Sequence, residues 1–345
     1  MILLLVSLWA AGAAVPTDTL SPHPAVHRDT GPPGTVAVHR QPALPMVSLR
    51  LSLLADDPLG YAGAGHFQQH LVFPTLREEA ARVGGHAQVT RTADALVYTV
   101  TGPAAELTYL ARVLRSALAV PASGQGQMLA AARDLAEERN AEWETAPQHV
   151  RARLRGRLFP WQLPAAGTHS SALRLDLASV RAAWAAMYRP ERVAVVAVGD
   201  VQRRAVEAAF ASLPGASGAS IEGGLQDTVP LTPPTPAEAT RGWLGIGWGT
   251  SDLDPATVSV AARLLRDEVQ RALPTASVEA EHWWTHGGQA LVVVVGLPGA
   301  QMPAARRQLA AAAGGLAGRV SDAAVRDAAT RVRQELLFYA RTPDR

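Results

Sequence analysis

The order of secondary structure in this chain repeats, and that repeat constrains the fold more than any single motif. Residues 214–236, rich in Pro, Gly, Ser and Thr, read as a linker between two halves. In the first half, apolar alternation predicts paired strands at 35–40 and 46–55, then a helix that carries His66 and His70 and ends or kinks at Pro74. A second helix at 75–83 stops at Gly84-Gly85, and strands follow at 87–92 and 95–101. Helices at 104–118, 127–144, 147–158 and 179–188 lead to a buried strand at 192–198 and a closing helix at 202–213. The second half opens in the same way, with a strand at 243–248, a helix at 254–273 and strands at 276–284 and 289–296. Helices at 302–317 and 321–339 finish it, without a counterpart to the strand at 192–198. The expected fold class is α+β: two related lobes, each a mostly antiparallel sheet with helices packed on it, the second truncated. The boundaries are 1–13 for a signal peptide, 14–34 for a Pro-rich leader, 35–213 for the first lobe, 214–236 for the linker and 237–345 for the second lobe.

Composition narrows the function classes. Apolar residues make up 48% of the 345, enough for two cores. All 32 basic residues are arginine, and 30 acidic residues interspersed among them leave a net charge of +2, with no basic stripe that predicts nucleic-acid binding. The densest run, Arg151, Arg153, Arg155 and Arg157, reads as a solvated or acid-paired helix face. The absence of cysteine excludes disulfides and thiolate metal sites. Met1 through Trp9 are largely apolar and run into small residues with an Ala-x-Ala pattern at Ala11 and Ala13, the form of a secretory signal peptide. The n-region carries no Arg or Lys, a departure from that form. No other apolar stretch reaches membrane-spanning length, so the expected location is periplasmic or secreted.

His66-Phe67-Gln68-Gln69-His70 places two imidazoles four residues apart, one above the other if the segment is helical. Such a pair supplies two of the three protein ligands of a catalytic zinc site, and the third is commonly a carboxylate. The acidic helix offers Glu137, Glu138 and Glu142, and periodicity alone does not choose among them. The bland alternative is a pair of partly buried histidines with no ligand.

With its flanks, Gly63-Ala64-Gly65-His66-Phe67-Gln68-Gln69-His70-Leu71-Val72-Phe73, the motif resembles that of the insulinase/pitrilysin family of zinc peptidases, the inverted zincins, whose core is His-x-x-Glu-His. The resemblance continues through Gly84-Gly85, Asp94, Val97-Tyr98, Glu137-Glu138, Tyr188-Arg189-Pro190-Glu191-Arg192 and Val195-Val196-Ala197-Val198-Gly199-Asp200. It is strong to Pro214 and looser beyond. It implies that His66, His70 and Glu138 bind one Zn²⁺ and that Gln69 stands where the family has its general base.

That substitution is the main departure. A carboxylate takes a proton from the attacking water and passes it to the leaving amine, whereas a neutral amide only forms hydrogen bonds. Losing a general base costs roughly 10²–10⁴ in rate. Gln88-Val89 and Arg91 stand where the family usually carries Asn-Ala and Thr on the strand that pairs with extended substrate, and Ala276 aligns loosely with a family Tyr.

Three functional readings follow. The first is a zinc-binding, catalytically impaired homologue that acts on peptide or unfolded polypeptide as the non-catalytic partner of an active family member in a heterodimer. The second is an active exported zinc endopeptidase in which Glu137 substitutes as the base. The third is a metal-free peptide-binding or scaffolding protein. Elsewhere, His282 and His286 repeat the four-residue spacing but read as strand end and turn, Glu78-Glu79 reads as a solvated helix surface, and Gly242-x-x-Gly245-x-Gly247 lacks the strand-to-helix context of a phosphate loop.

Overall fold

In the computed structural model the described residues are 29–30, 35–58, 60–92, 94–167, 175–214, 241–285 and 287–341, with side chains left aside at 29–30, 35, 141–144 and 336–341. The proposed signal peptide, most of the leader and the linker lie outside them. Contacts divide the chain into two units, one formed by Ser21–Ala141 with Gln162–Val229, the other including Glu142–Trp161 with Pro230–Arg345.

The first unit is built on a six-stranded sheet of β1 (Asp29–Thr30), β2 (Thr35–Arg40), β3 (Met46–Leu54), β4 (His86–Arg91), β5 (Ala95–Pro103) and β6 (Val193–Gly199). Their spatial order is β1-β2-β6-β3-β5-β4, with only β2 and β6 parallel. The two strands expected to pair, β2 and β3, are therefore separated by β6. The sequence of β6, Val-Ala-Val-Val-Ala-Val-Gly, explains the insertion, since a near-continuous apolar run is best accommodated in a sheet interior with a strand on each side. Alternation then builds the core: Leu49 lies opposite Val100 and Ala197, and Leu51 opposite Tyr98 and Val195, all buried on one face.

Among the helices that contribute to this core are α2 (Leu107–Ser116), α5 (Leu177–Met187) and α6 (Arg203–Phe210), through Leu110, Leu114, Trp184, Met187, Val206 and Phe210. The helix α1 (Ala64–Ala81) is continuous, correcting the expected break at Pro74. Proline removes the N–H that would bond the His70 carbonyl, but burial of Leu71 before it and Leu76 and Ala80 after it holds the helix together. The long α3 (Gln125–Glu144) follows α2.

In the second unit, β7 (Arg241–Gly249), β8 (Ser277–Thr285) and β9 (Gly288–Pro298) form an antiparallel sheet in the order β7-β9-β8. The central strand β9 is apolar on both faces. Leu291, Val293, Val295 and Leu297 pack in the cluster that takes in Val258, Leu265 and Val269 of α7 (Pro255–Ala272), together with Leu309 of α8 (Met302–Gly314). Its alternate residues Ala290, Val292 and Val294 pack with Val150, Leu154 and Leu158 of α4 (Ala146–Leu158). The short α9 (Leu316–Arg319) and α10 (Asp322–Arg341) complete the unit.

Helix α4 falls within the sequence-defined first lobe at 35–213, yet its contacts are with the second sheet. The glycines of β7 make room for it: a Cβ at Gly245 would meet Val150 Cγ1 and lie 2.6 Å from Leu154 Cδ1, and one at Gly247 would lie 2.8 Å from Leu158 Cδ1. Arg151 of α4 is paired with Glu279 and Glu281, and the Arg155 guanidinium sits 4.7 Å from the Trp283 ring centroid, an acid-paired face as the sequence suggests.

The internal repeat is visible in the topology. The series β3-α1-β4-β5, ordered β3-β5-β4, matches β7-α7-β8-β9, ordered β7-β9-β8. Each series ends at a proline, Pro103 or Pro298, followed by a short 3₁₀ turn and a helix. Among the described residues the second sheet has three strands and no counterpart to β6.

Candidate metal centre

The site lies within the first unit and begins with the start of α1. Gly63, at φ 88°, enters the helix in the left-handed region and, having no side chain, supplies no cap of its own. Asp57 does this from the preceding loop: its carboxylate accepts the N–H groups of Gly63 and Gly65, each at 2.9 Å. Arg91 of β4 donates to the Ala55 carbonyl at 3.1 Å and lies 3.8 Å from Asp57, with both side chains almost fully buried. Burial pushes the Asp57 carboxyl up, opposed by Arg91 and the two N–H groups. This pair is not legible in the sequence, where Asp57 and Arg91 stand 34 residues apart. An Asp just ahead of a Gly-rich helix start was the available signal for the cap.

From the first turn of this helix into the second, the His66 and His70 rings stack at 4.8 Å between centroids and 26° between planes. Helix α3 brings the third group. Ala131 and Leu135 of α3 form a small core with Phe67 and Leu71 of α1, Ala166 and Val180. Glu138, three residues beyond Leu135, lies on the same helical face and reaches the imidazoles, with Oε2 3.0 Å from His66 Nε2 and Oε1 3.5 Å from His70 Nε2. Glu137, about 100° round the helix, is exposed and bonded to Arg133 at 2.7 Å. The structure thus brings together His66, His70 and Glu138 and leaves Glu137 outside. The Glu142 side chain is outside the described residues.

The donor set fits zinc. All three ligand atoms lie within 4.8 Å of one another. For bonds of about 2.1 Å, the edge of a tetrahedral site is roughly 3.4 Å, and the two His–Glu separations, 3.0 and 3.5 Å, bracket it. His70 Nε2 is buried and makes no hydrogen bond of normal geometry, and neither does His66 Nδ1. Burial holds the His66 imidazole down at about 4, helped by its neighbours His70 and Arg91 and opposed by the Ala165 backbone. It is therefore neutral near pH 7, as a metal ligand must be.

Gln69 is buried beside these groups, its Nε2 bonded to the carbonyls of Thr90 at 3.1 Å and Val97 at 3.2 Å. Gln88 and Val89 lie on β4, the edge strand of the sheet, Gln88 exposed and Val89 half-buried against the core. Beneath them Tyr98 is fully buried, and burial pushes its phenol up.

The remaining sequence candidates have structural partners. His282 shares hydrogen bonds with Ser259 Oγ at 3.0 Å and Gln289 Oε1 at 2.8 Å, while His286 lies outside the described residues. Glu78 is solvated as expected, but Glu79 accepts a 2.7 Å hydrogen bond from the Tyr109 hydroxyl.

No family model and no curated protein matches the sequence. Solved structures do resemble the fold. A protease from Helicobacter pylori aligns with a TM-score of 0.74 at 14% identity, covering 89% of this chain and 83% of the other. A peptidase M16 inactive domain from Pseudomonas fluorescens aligns with a TM-score of 0.72 at 16% identity, covering 90% and 82%. The first half of the periplasmic protease PqqL from Escherichia coli aligns with a TM-score of 0.59 at 16% identity, covering 81% and 69%. Agreement this broad at such low identity is agreement of backbone architecture, and it establishes that the chain has the insulinase-like fold of the M16 peptidases.

Proposed function

We propose that this chain is a zinc-binding, catalytically impaired insulinase-family homologue that handles peptide as the non-catalytic partner of an active family member. The observation that carries the reading is the convergence of His66, His70 and Glu138, with Gln69 between the two histidines in the chain at the position where the resemblance implies a general base. Zinc held there would supply Lewis-acid polarisation of a peptide carbonyl. The chain's own groups would hold the metal through two neutral imidazoles and one carboxylate. Gln69 has no proton-accepting group for water, which leaves binding without efficient turnover. Glu137 is engaged with Arg133, so the geometry gives no support to its service as a substitute base.

The exposed edge of β4, with Gln88 and Val89, is suited to an extended peptide adding as a further strand. Export is supported by the apolar start of the sequence and by the likeness to a periplasmic protease. Among the described residues no helix is long and apolar enough to cross a membrane.

The test is metal analysis of the purified chain with peptide-cleavage assays. About one Zn²⁺ per wild-type chain, lost in His66→Ala and Glu138→Ala and kept in Glu137→Ala, is expected, with no chelator-sensitive cleavage by the wild type. Unchanged zinc in His66→Ala would sink the metal site. Efficient cleavage by the pure wild type would sink the impaired reading. Co-purification from the native host with a homologue carrying Glu at the base position is the expected sign of the partnership; isolated monomers would count against it.

A further inference from the structure

Gln69 is more than the remnant of a lost base. A carboxamide nitrogen carries two hydrogens and accepts none, and both are directed at backbone carbonyls, those of Thr90 and Val97. These residues face each other across β4 and β5. Two acceptors at one end of the side chain fix the amide's orientation, because exchanging nitrogen and oxygen would set Oε1 against both carbonyls. The side chain is 1% exposed, so water cannot take over either bond.

The position is therefore a place for a donor. An ionised carboxylate has no hydrogen to offer, and a protonated one has a single hydrogen where two carbonyls wait. The bonds also have mechanical meaning. They join the helix that carries His66 and His70, at a point between the two, to the edge strand that carries Gln88 and Val89.

We propose that Gln69 is a positioning residue, a clamp that registers the histidine helix on β4 and β5 through both amide hydrogens, and that this position is built for a hydrogen-bond donor. A consequence is that Gln69→Glu alone restores no peptide hydrolysis. That consequence rests on the zinc-binding reading of the site; the clamp itself does not.

The test uses the full chain as wild type, Gln69→Glu and Gln69→Met, the last keeping side-chain length while losing both donors. Thermal unfolding is followed in the presence of a chelator, and the visible absorption of added Co²⁺ and peptide cleavage are measured separately. Expected are falls in the unfolding midpoint of roughly 5–10 °C in both variants, at least as large in Gln69→Glu as in Gln69→Met. A shifted Co²⁺ band in Gln69→Met and no gain of cleavage in Gln69→Glu are also expected. A Gln69→Glu midpoint at or above that of the wild type, an unshifted Co²⁺ band in Gln69→Met, or cleavage acquired by Gln69→Glu would overturn the proposal. If Gln69→Glu fails to fold, the Gln69→Met midpoint still decides the clamp, with a wild-type value overturning it. If wild-type protein takes up no Co²⁺ or Zn²⁺, the metal reading fails while the chelated midpoints continue to judge the clamp.

Discussion

Removal of the Asp57 carboxylate is expected to cost more stability than any other single truncation near the site. Asp57→Ala leaves the N–H groups of Gly63 and Gly65 without their 2.9 Å acceptors at the start of α1. It also leaves Arg91, whose side chain is 5% exposed, without its nearby carboxylate. Removing one member of a buried charged pair costs about 3–5 kcal/mol, a range that already contains the unpaired donors. For a unit of this size that corresponds to a fall of about 10 °C in unfolding midpoint. Asp57→Asn keeps one carbonyl oxygen and so one of the two caps, and should lose about half as much. Because His66 lies within the first turn of the same helix, Asp57→Ala should also weaken zinc uptake without touching a ligand. Urea unfolding of wild type and both variants in chelator, with zinc titration of each, measures these effects. An Asp57→Ala change of less than about 1 kcal/mol would refute the argument that the carboxylate organises this helix start.

Two further outcomes are accessible. Gly245→Ala places a methyl group against Val150 and Leu154 and should destabilise the second unit by about 1–3 kcal/mol in denaturant titration, whereas Gly249→Ala, with open space around it, should be near neutral. Equal effects at the two glycines would contradict the tight seat of α4 on β7. The depressed His66 imidazole makes metal-free protein acid-sensitive. Its pKa is about 4 when folded and 6.5 when unfolded, so below pH 6.5 the unfolded chain binds the extra proton and stability declines as pH falls towards 4. The loss is at most roughly 3 kcal/mol at 1.36 kcal/mol per unit, and the half-exposed Glu138 carboxylate, 3.0 Å from Nε2, reduces it by favouring the charged ring. Unfolding midpoints at pH 7 and 4.5 should differ less in His66→Gln than in wild type; equal differences would count against a buried neutral imidazole.

Much of the architecture was legible because period-two alternation in β3 and β5 and the continuous apolar runs of β6 and β9 are local properties of the chain. The pairing of strands was not. Whether β2 lies beside β3 depends on where β6 arrives from more than a hundred residues away, and no local pattern encodes that. Pro74 misled for the opposite reason: its local penalty is real, and packing of Leu71, Leu76 and Ala80 overrides it. For the glutamate that meets the imidazoles the signal was partly present, since Ala131 and Leu135 mark the inward face of α3 and Glu138 continues it, but only contact with Phe67 and Leu71 gives that stripe its meaning.

By itself the sequence determined the two-part plan, the paired histidines and the amide of Gln69 between them, because each is written in residue type and spacing along one segment. Only the tertiary structure decided which glutamate meets the imidazoles, that α4 belongs with the second sheet, that Asp57 and Arg91 brace the start of the histidine helix, and that both hydrogens of Gln69 are committed to β4 and β5. Those outcomes depend on groups far apart in the chain being buried together, where an unpaired donor or charge is costly and its partner is fixed by position in space.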